Sequence, residues 1–170
     1  MLGFDDAAFA LQAAASRDEI GDLLTDYLRS VFGCALVLIV KSGTALGWRG
    51  FALDADPATI ESIATPLTSP SMLSVALEAR AVFRGPPPEE GAALQNRLWK
   101  LLRCAPPTEV IVAPILMANR VVNLVYGHAE DGATLAPGLE DEVARVCAMA
   151  AEEYARIIQS KGKEAVQTNR

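Results

Sequence analysis

The sequence predicts an α+β fold of one domain, built around an antiparallel sheet. Two stretches carry this prediction. Residues 108–129 have the pattern of two apolar strands joined by a short polar turn, and residues 34–51 have the same pattern across a Lys-Ser-Gly-Thr turn. Apolar residues recur at helical spacing near both ends of the chain. With 170 residues, 51% of them apolar, the chain can bury one substantial core.

The N-terminal part predicts two helices, the second of them clearly amphipathic. Residues 4–15 are alanine-rich and form the first. Ser16 opens the second as a capping box, in which its oxygen accepts from the third helical amide and Glu19 reaches back. The apolar residues that follow at spacings of three and four lie on one face: Ile20, Leu23, Leu24, Tyr27, Leu28, Val31 and Phe32.

Residues 34–40 predict a central strand, because both of its faces are apolar and must be covered. Residues 45–51 predict its hairpin partner, weakened by Gly47 and Gly50. Trp48 and Arg49 are adjacent on this strand. Since adjacent strand residues point to opposite faces, at most one of them can face a pocket.

The middle of the chain predicts short elements separated by proline. Asp56 caps a helix that ends near Pro66, and a second helix starts at Ser69-Pro70. Residues 81–84 form a short strand before three consecutive prolines. Glu89-Glu90 begins a further helix, with its acids at the positive end of the helix dipole.

A long amphipathic helix is predicted for residues 137–163, followed by a polar and frayed tail at 164–170. At roughly 1.5 Å per residue this helix exceeds what a small sheet covers, so we expect its end to project or to pair with another subunit. In domain terms, residues 1–15 form an N-terminal extension, 16–160 the domain and 161–170 a polar tail.

Charge and hydropathy exclude several classes of function. The net charge is −6, and no Lys/Arg cluster is longer than two residues, so the basic stripe that nucleic acid requires is missing. The longest apolar run is too short to span a bilayer, and the acidic N-terminus is not a secretory signal. We expect a cytoplasmic protein that binds neither nucleic acid nor membrane.

Cys34, Cys104 and Cys147 are far apart in the sequence, and His128 is the sole histidine. Zinc needs about four clustered ligands, so no metal site is expected. Cys34 and Cys147 are interpreted as small core residues. His128 is interpreted as a surface residue at a strand end, which leaves the sequence without a predicted Cys–His pair.

The order of elements resembles that of GAF domains over residues 16–160. The matching pieces are the first hairpin, the small-residue helix at 71–82 that leads into a short strand, the strand at 109–115 with its Pro114, and its return at 120–125. The resemblance implies a central antiparallel sheet of five to six strands, GAF- or PAS-like. Terminal helices would pack on one face, and a small-molecule pocket would lie on the other.

The resemblance leaves the cofactor open. GAF-like domains bind cyclic nucleotides, bilins, haem or small metabolites, and many act as dimerisation modules. The Asn-Lys-Phe-Asp-Glu constellation of the cyclic-nucleotide-binding members is missing here. The bilin-binding members use a cysteine beside a histidine, and no such pair is evident in this sequence.

We expect a non-enzymatic signalling or regulatory domain. It would sense a small ligand or form a homodimer through its terminal helices, with a signalling protein as a further partner. The candidate pocket residues are Trp48, Ser71, Arg84, Trp99 and Cys104. The candidate residues of the dimerisation helices are Leu24, Tyr27, Tyr154 and Ile158.

Two alternatives remain. One is an interaction scaffold without a ligand, GAF-like or roadblock-like. The other is an enzyme similar to the free methionine sulfoxide reductases, which are GAF-like and use cysteine thiolates. Cys104 lies where that family carries a cysteine, whereas Met72 or Leu73 occupies the position of another. No catalytic residue is therefore predicted.

Overall fold

The computed structural model describes residues 1–168 and contains one six-stranded sheet flanked by helices. The helices are α1 (Phe4–Gln12), α2 (Arg17–Val31), α3 (Pro57–Glu61), α4 (Met72–Ala79), α5 (Ala92–Leu101) and α6 (Leu139–Thr168). The strands are β1 (Cys34–Lys41), β2 (Thr44–Phe51), β3 (Ala64–Pro66), β4 (Phe83–Gly85), β5 (Val110–Met117) and β6 (Arg120–His128).

Every strand pair of the sheet is antiparallel, and the order is β3-β2-β1-β6-β5-β4. Both predicted hairpins are present. The turn between β5 and β6 holds Ala118 and Asn119 at φ of 50° and 65°, the left-handed pair that matches the twist of adjacent strands. β1 and β6 lie at the centre, with Cys34 opposite His128. The predicted α+β fold with an antiparallel sheet is confirmed.

The sheet separates two apolar cores. Successive residues of β1 point into the two cores in turn. Ala35 and Val37 pack towards α1, α2 and α6, while Leu36 and Leu38 pack towards α3, α4 and α5. This arrangement explains why β1 is apolar on both faces. The terminal helices share one face of the sheet, as the sequence predicts.

Local chemistry explains the helix starts, with two differences from expectation. Ser16 caps α2 as predicted, its Oγ accepting from the Glu19 amide at 3.2 Å. The Glu19 carboxylate accepts from the amide of Ala15 at 2.8 Å, one residue earlier than the predicted partner. The cap of α4 is Ser71, not Ser69, because Ser71 lies immediately before the first helical residue.

The helix predicted to end at Pro66 is shorter, and a strand follows it. α3 stops at Glu61, and β3 pairs with β2 at the edge of the sheet. Proline is tolerated there because an edge strand can lack one amide donor.

The last helix is longer than predicted, since α6 continues through the expected frayed segment to Thr168. Residues 169 and 170 of the predicted tail lie outside the described residues. Within residues 1–168, no helix has both the length and the apolarity needed to cross a membrane.

Candidate thiol site

Two cysteines and a histidine that are distant in sequence meet at one end of the central strands. Cys34 begins β1, and His128 ends β6 directly opposite it. Both residues are buried, at 3% and 5% exposure. Cys104 follows the end of α5 and packs against the core cluster that contains Cys34. Together with Tyr126 and Trp99 these residues form what we call the thiol cluster.

The end of α5 places Cys104. Arg103 adopts a left-handed conformation with φ of 55°. The amide of Cys104 donates to the carbonyl of Trp99 at 3.0 Å, and that of Arg103 donates to Lys100 at 3.2 Å. These two bonds are those of a Schellman motif, which turns the chain back over the last helical turn. The Cys104 Sγ therefore lies 3.7 Å from the Trp99 carbonyl oxygen, beside the sheet.

A hydrogen-bonded relay orients His128. The indole Nε1–H of Trp99 donates to the Tyr126 hydroxyl at 2.8 Å, and that hydroxyl lies 2.5 Å from His128 Nδ1. Burial raises the pKa of Tyr126 well above its usual range, so the phenol keeps its proton. The Trp99 indole can only donate, so the Tyr126 hydroxyl accepts from it and donates its own proton to Nδ1 of His128. This tautomer leaves the Nε2–H of His128 free to donate to Cys104.

The cluster shifts the pKa values of its two thiols in opposite directions. Hydrogen bonding from Cys34, followed by hydrogen bonding from His128, holds the pKa of Cys104 below its usual range. The interaction with Cys104, together with burial, raises the pKa of Cys34 far above its usual range. Cys104 is therefore the thiolate of the pair, and Cys34 retains its proton. A thiolate is the nucleophilic form of cysteine.

An open cleft of about 380 Å³ adjoins the cluster. Its walls are two loops, residues 105–109 and residues 129–135, and His128 lies at its base. Cys104 immediately precedes the first loop and is only partly buried, whereas Cys34 is covered. The second loop continues into α6. We call this feature the loop cleft.

The cluster corrects two sequence-based interpretations. His128 is a buried residue with a hydrogen-bond partner, not a surface residue at a strand end. A cysteine and a histidine do lie side by side, because Cys34 stands directly opposite His128 on the central strands. Strand alternation places Tyr126 and His128 on the face of β6 towards α5. Nothing in the sequence places Cys34 or Cys104 beside them. Within residues 1–168, no cluster of three or more His, Cys, Asp or Glu side chains has a geometry that could hold a metal ion.

The five candidate pocket residues do not converge. Trp99 and Cys104 belong to the thiol cluster. Trp48 lies on the opposite face of the sheet, in contact with the core beneath the terminal helices and with the guanidinium groups of Arg17 and Arg49. The expectation of one shared pocket is therefore wrong for Trp48. A β-bulge at this point of β2 leaves Trp48 unpaired and places it on the same side of the sheet as Arg49, which pairs with Asp22 of α2.

Ser71 and Arg84 have intramolecular partners. The Ser71 Oγ accepts from the amides of Leu73 and Ser74, and the amide of Met72 donates to the Gln95 side chain at 2.8 Å. These amides at the start of α4 are therefore already hydrogen-bonded within the chain and are not available to bind an anion.

Arg84 pairs with Glu140 at 2.6 Å and with Glu109 at 3.1 Å. It also donates to the carbonyls of Leu135 and Ala136, at 3.1 Å and 2.8 Å. Its charge is thus satisfied within the chain, and its contacts join the edge strand β4 to the loop that precedes α6.

Side chains fill the space between the sheet and α3–α5, where the resemblance implies a ligand pocket. The side chains that occupy it are at most 4% exposed: Leu36, Leu38, Met72, Leu73, Leu98, Trp99, Leu102 and Tyr126. A remaining gap beside Ser71 and Gln95 has no room for a water molecule.

Three of the four predicted dimerisation residues are buried within the chain. Leu24, Tyr27 and Tyr154 lie in the core between the terminal helices and the sheet, at 1%, 0% and 6% exposure. The Tyr27 hydroxyl also donates to Glu142 at 2.6 Å, joining α2 to α6. Only Ile158, at 62% exposure, remains available to a second chain.

Comparison with known proteins identifies the fold. The sequence matches no protein-family profile, and none of the curated proteins matches it. Among solved structures, a segment of a methyl-accepting chemotaxis protein superposes with a TM-score of 0.73 at 15% identity, covering 91% of this chain and 98% of that one. The GAF domain of a phosphoenolpyruvate-protein phosphotransferase from Coxiella burnetii gives 0.72 at 11% identity and covers 94% of both chains.

A third structure with this architecture is an enzyme. The free methionine-R-sulfoxide reductase from Neisseria meningitidis, in complex with its substrate, gives a TM-score of 0.66 at 9% identity, covering 92% of this chain and 89% of that one. The chain therefore has the GAF fold. At these identities the comparisons establish the fold alone.

Proposed function

We propose that this chain is a non-enzymatic regulatory domain of the GAF type that acts by self-association along one flank of α6. The observation that carries the proposal is a regular stripe on that helix, which lies beside the core-facing residues and touches the core at Ala151. Its members follow spacings of four and three residues and none is buried: Ala144, Ala148, Ala151, Ala155, Ile158, Gly162 and Ala165.

The spacing and size of these residues suit helix pairing. Alternating steps of four and three average 3.5 residues, the period of a coiled-coil seam. Small side chains let two helix axes approach closely, and Ile158 supplies an apolar side chain near the end of the stripe. The core-facing residues of α6 form a separate set around Val143, Ala150 and Ile157. The same helix can therefore bind the sheet and a second copy at once.

The length of α6 supports the same role. Its 30 residues extend about 45 Å, and nothing after Ile157 is buried in the described part of the chain. An isologous pair of such helices is the simplest symmetric assembly, because both copies present the same surface. Signals that reach the start of α6 through the loop cleft would be passed along this helix. The filled interior argues against a ligand between the sheet and α3–α5.

Light scattering coupled to size-exclusion chromatography tests the proposal on the full chain. The wild-type chain is expected to be a dimer, and I158E is expected to be a monomer. Q159E is the matched control, since it introduces the same charge at the next, exposed position off the stripe. A monomeric wild-type chain, or an I158E chain as dimeric as Q159E, contradicts the proposal.

The thiol cluster favours one second candidate, a reductase acting on free methionine sulfoxide. The cluster supplies a thiolate beside an open cleft, as that chemistry requires. Met72 and Leu73, which stand where the family has another cysteine, are each 1% exposed. The candidate therefore depends on Cys104, and C104S should abolish turnover of free methionine sulfoxide. Lack of turnover by the wild-type chain ends this candidate.

A further inference from the structure

The thiol cluster supports an inference independent of the proposed self-association. We propose that Cys34 and Cys104 form a two-electron redox site, in which a small hydroperoxide oxidises Cys104 and Cys34 then closes an intramolecular disulfide. His128 is the positioning residue of the site. The proposal rests on the packing of Cys104 against the core cluster that holds Cys34, on the strand register that sets Cys34 opposite His128, on the relay that orients His128 and on the loop cleft beside His128.

The two cysteines have the properties of an attacking and a resolving thiol. Cys104 is partly buried, directly precedes the first wall of the cleft in the chain, and has the lower pKa of the two thiols. Cys34 is covered by the protein and contacts Cys104, so it meets oxidant only after Cys104 has reacted. Cys147 offers a contrast within the same chain. It lies on the buried face of α6, and burial raises its pKa to about 12, which makes it inert.

The first step consumes the hydroperoxide. The Cys104 sulfur attacks the terminal oxygen of the hydroperoxide, the O–O bond breaks, and the alkoxide leaves with the electron pair. The alkoxide takes a proton from solvent in the loop cleft and becomes an alcohol, while Cys104 becomes a sulfenic acid. The cleft admits a molecule of this size without any opening of the core.

The second step forms the disulfide. The Cys34 thiol loses its proton, its sulfur attacks the Cys104 sulfur, and the S–O bond breaks. The departing hydroxide combines with that proton to give water. Overall, two thiols and one hydroperoxide become one disulfide, one alcohol and one water. A disulfide requires the Cβ atoms to lie about 4 Å apart. The loop after Leu102, which has no helix or strand before Val110, permits the adjustment.

His128 acts through Cys104. Its Nδ1 is occupied by the Tyr126 hydroxyl, so Nε2–H is the donor that stabilises the thiolate. Asp131, in the second loop of the cleft, opposes this effect by its negative charge. Removal of the imidazole donor should therefore lower the thiolate population of Cys104 and slow the first step.

The direct test treats the full chain with hydrogen peroxide. Free thiols counted after denaturation should fall from three to one, and peptide mapping without reductant should recover Cys34 linked to Cys104. C147A is the matched control and should form the same disulfide at the wild-type rate. Retention of all three thiols in folded protein, or a disulfide that involves Cys147, overturns the proposal.

Two variants separate the steps. C34S should accumulate sulfenic acid at Cys104, trapped by dimedone, without a disulfide; absence of the adduct in this variant overturns the order of the steps. H128N should slow peroxide consumption by about tenfold and move the pH midpoint of Cys104 alkylation upward. If H128N has a lower melting temperature but an unchanged pH midpoint of Cys104 alkylation, the role given to His128 is overturned. The wild-type peptide map stays decisive if either variant fails to fold.

Discussion

Replacement of Tyr126 by phenylalanine tests the relay that supports the thiol cluster. The ring would remain in the core, but the hydroxyl that accepts from Trp99 and donates to His128 would be lost. Trp99 is 4% exposed, so its indole N–H would have no water to replace the hydroxyl. A buried donor left without a partner costs roughly 1–3 kcal/mol.

The assay is the free energy of unfolding in urea, followed by the tryptophan fluorescence of the full chain. For a chain of this size, a loss of roughly 1–3 kcal/mol lowers the melting temperature by roughly 2–12 °C. Y154F is the matched control, because the Tyr154 hydroxyl is buried without a hydrogen-bond partner among the described residues. Its removal deletes a buried hydroxyl that is already unsatisfied, so stability should stay the same or rise.

A double-mutant cycle with W99F isolates the bond between the two side chains. The coupling between Y126F and W99F should be about 1 kcal/mol, since the second substitution removes the donor that the first leaves unsatisfied. Equal losses in Y126F and Y154F, together with zero coupling in the cycle, would refute the hydrogen-bonded relay.

Two further perturbations test the turn of the central hairpin and the anchor of α6. A118N should stabilise the chain by about 0.5–1 kcal/mol in urea unfolding, because asparagine tolerates the left-handed conformation of Ala118 better than alanine does; an unchanged midpoint would contradict this. R84M should speed hydrogen exchange at the start of α6. The hydrogen bond from Arg84 lowers the pKa of Glu140 below its usual value of 4.5, so this ion pair stabilises the fold at neutral pH and is lost as the pH falls below that value. The difference in free energy of unfolding between the wild-type chain and R84M should therefore be smaller at pH 3 than at pH 7. An equal difference at both pH values would show that the Glu140 carboxylate is not involved.

Much of the fold was predictable because local interactions encode it. Ser16 caps α2 in a sequence pattern that is complete within four residues. The two apolar faces of β1 predicted a strand covered on both sides, and both cores are present. Element ends were less predictable, since β3 forms only because β2 offers it an edge to pair with. No local pattern at residues 64–66 records that edge.

The candidate sites show where local reasoning stops. Periodicity identified the apolar face of each terminal helix but not what covers it. In the structure, the sheet and the neighbouring helices cover Leu24, Tyr27 and Tyr154, which leaves the other flank of α6 as the surface available for pairing. Trp48 and Arg84 likewise each found an intrachain environment that no spacing in the sequence specifies, whereas Ser71 is the local cap of α4.

The sequence by itself determined the two hairpins, the cap of α2 and the amphipathic faces of the terminal helices, because each depends on residues close together in the chain. Only the tertiary structure decided the chemistry. Cys34, Cys104 and His128 belong to three separate elements, and they meet because β1 pairs with β6 and because the end of α5 turns the chain back towards that pair. A contact that depends on strand register and on a helix terminus leaves no periodic signal in the sequence, and for this reason the thiol cluster emerged only from the fold.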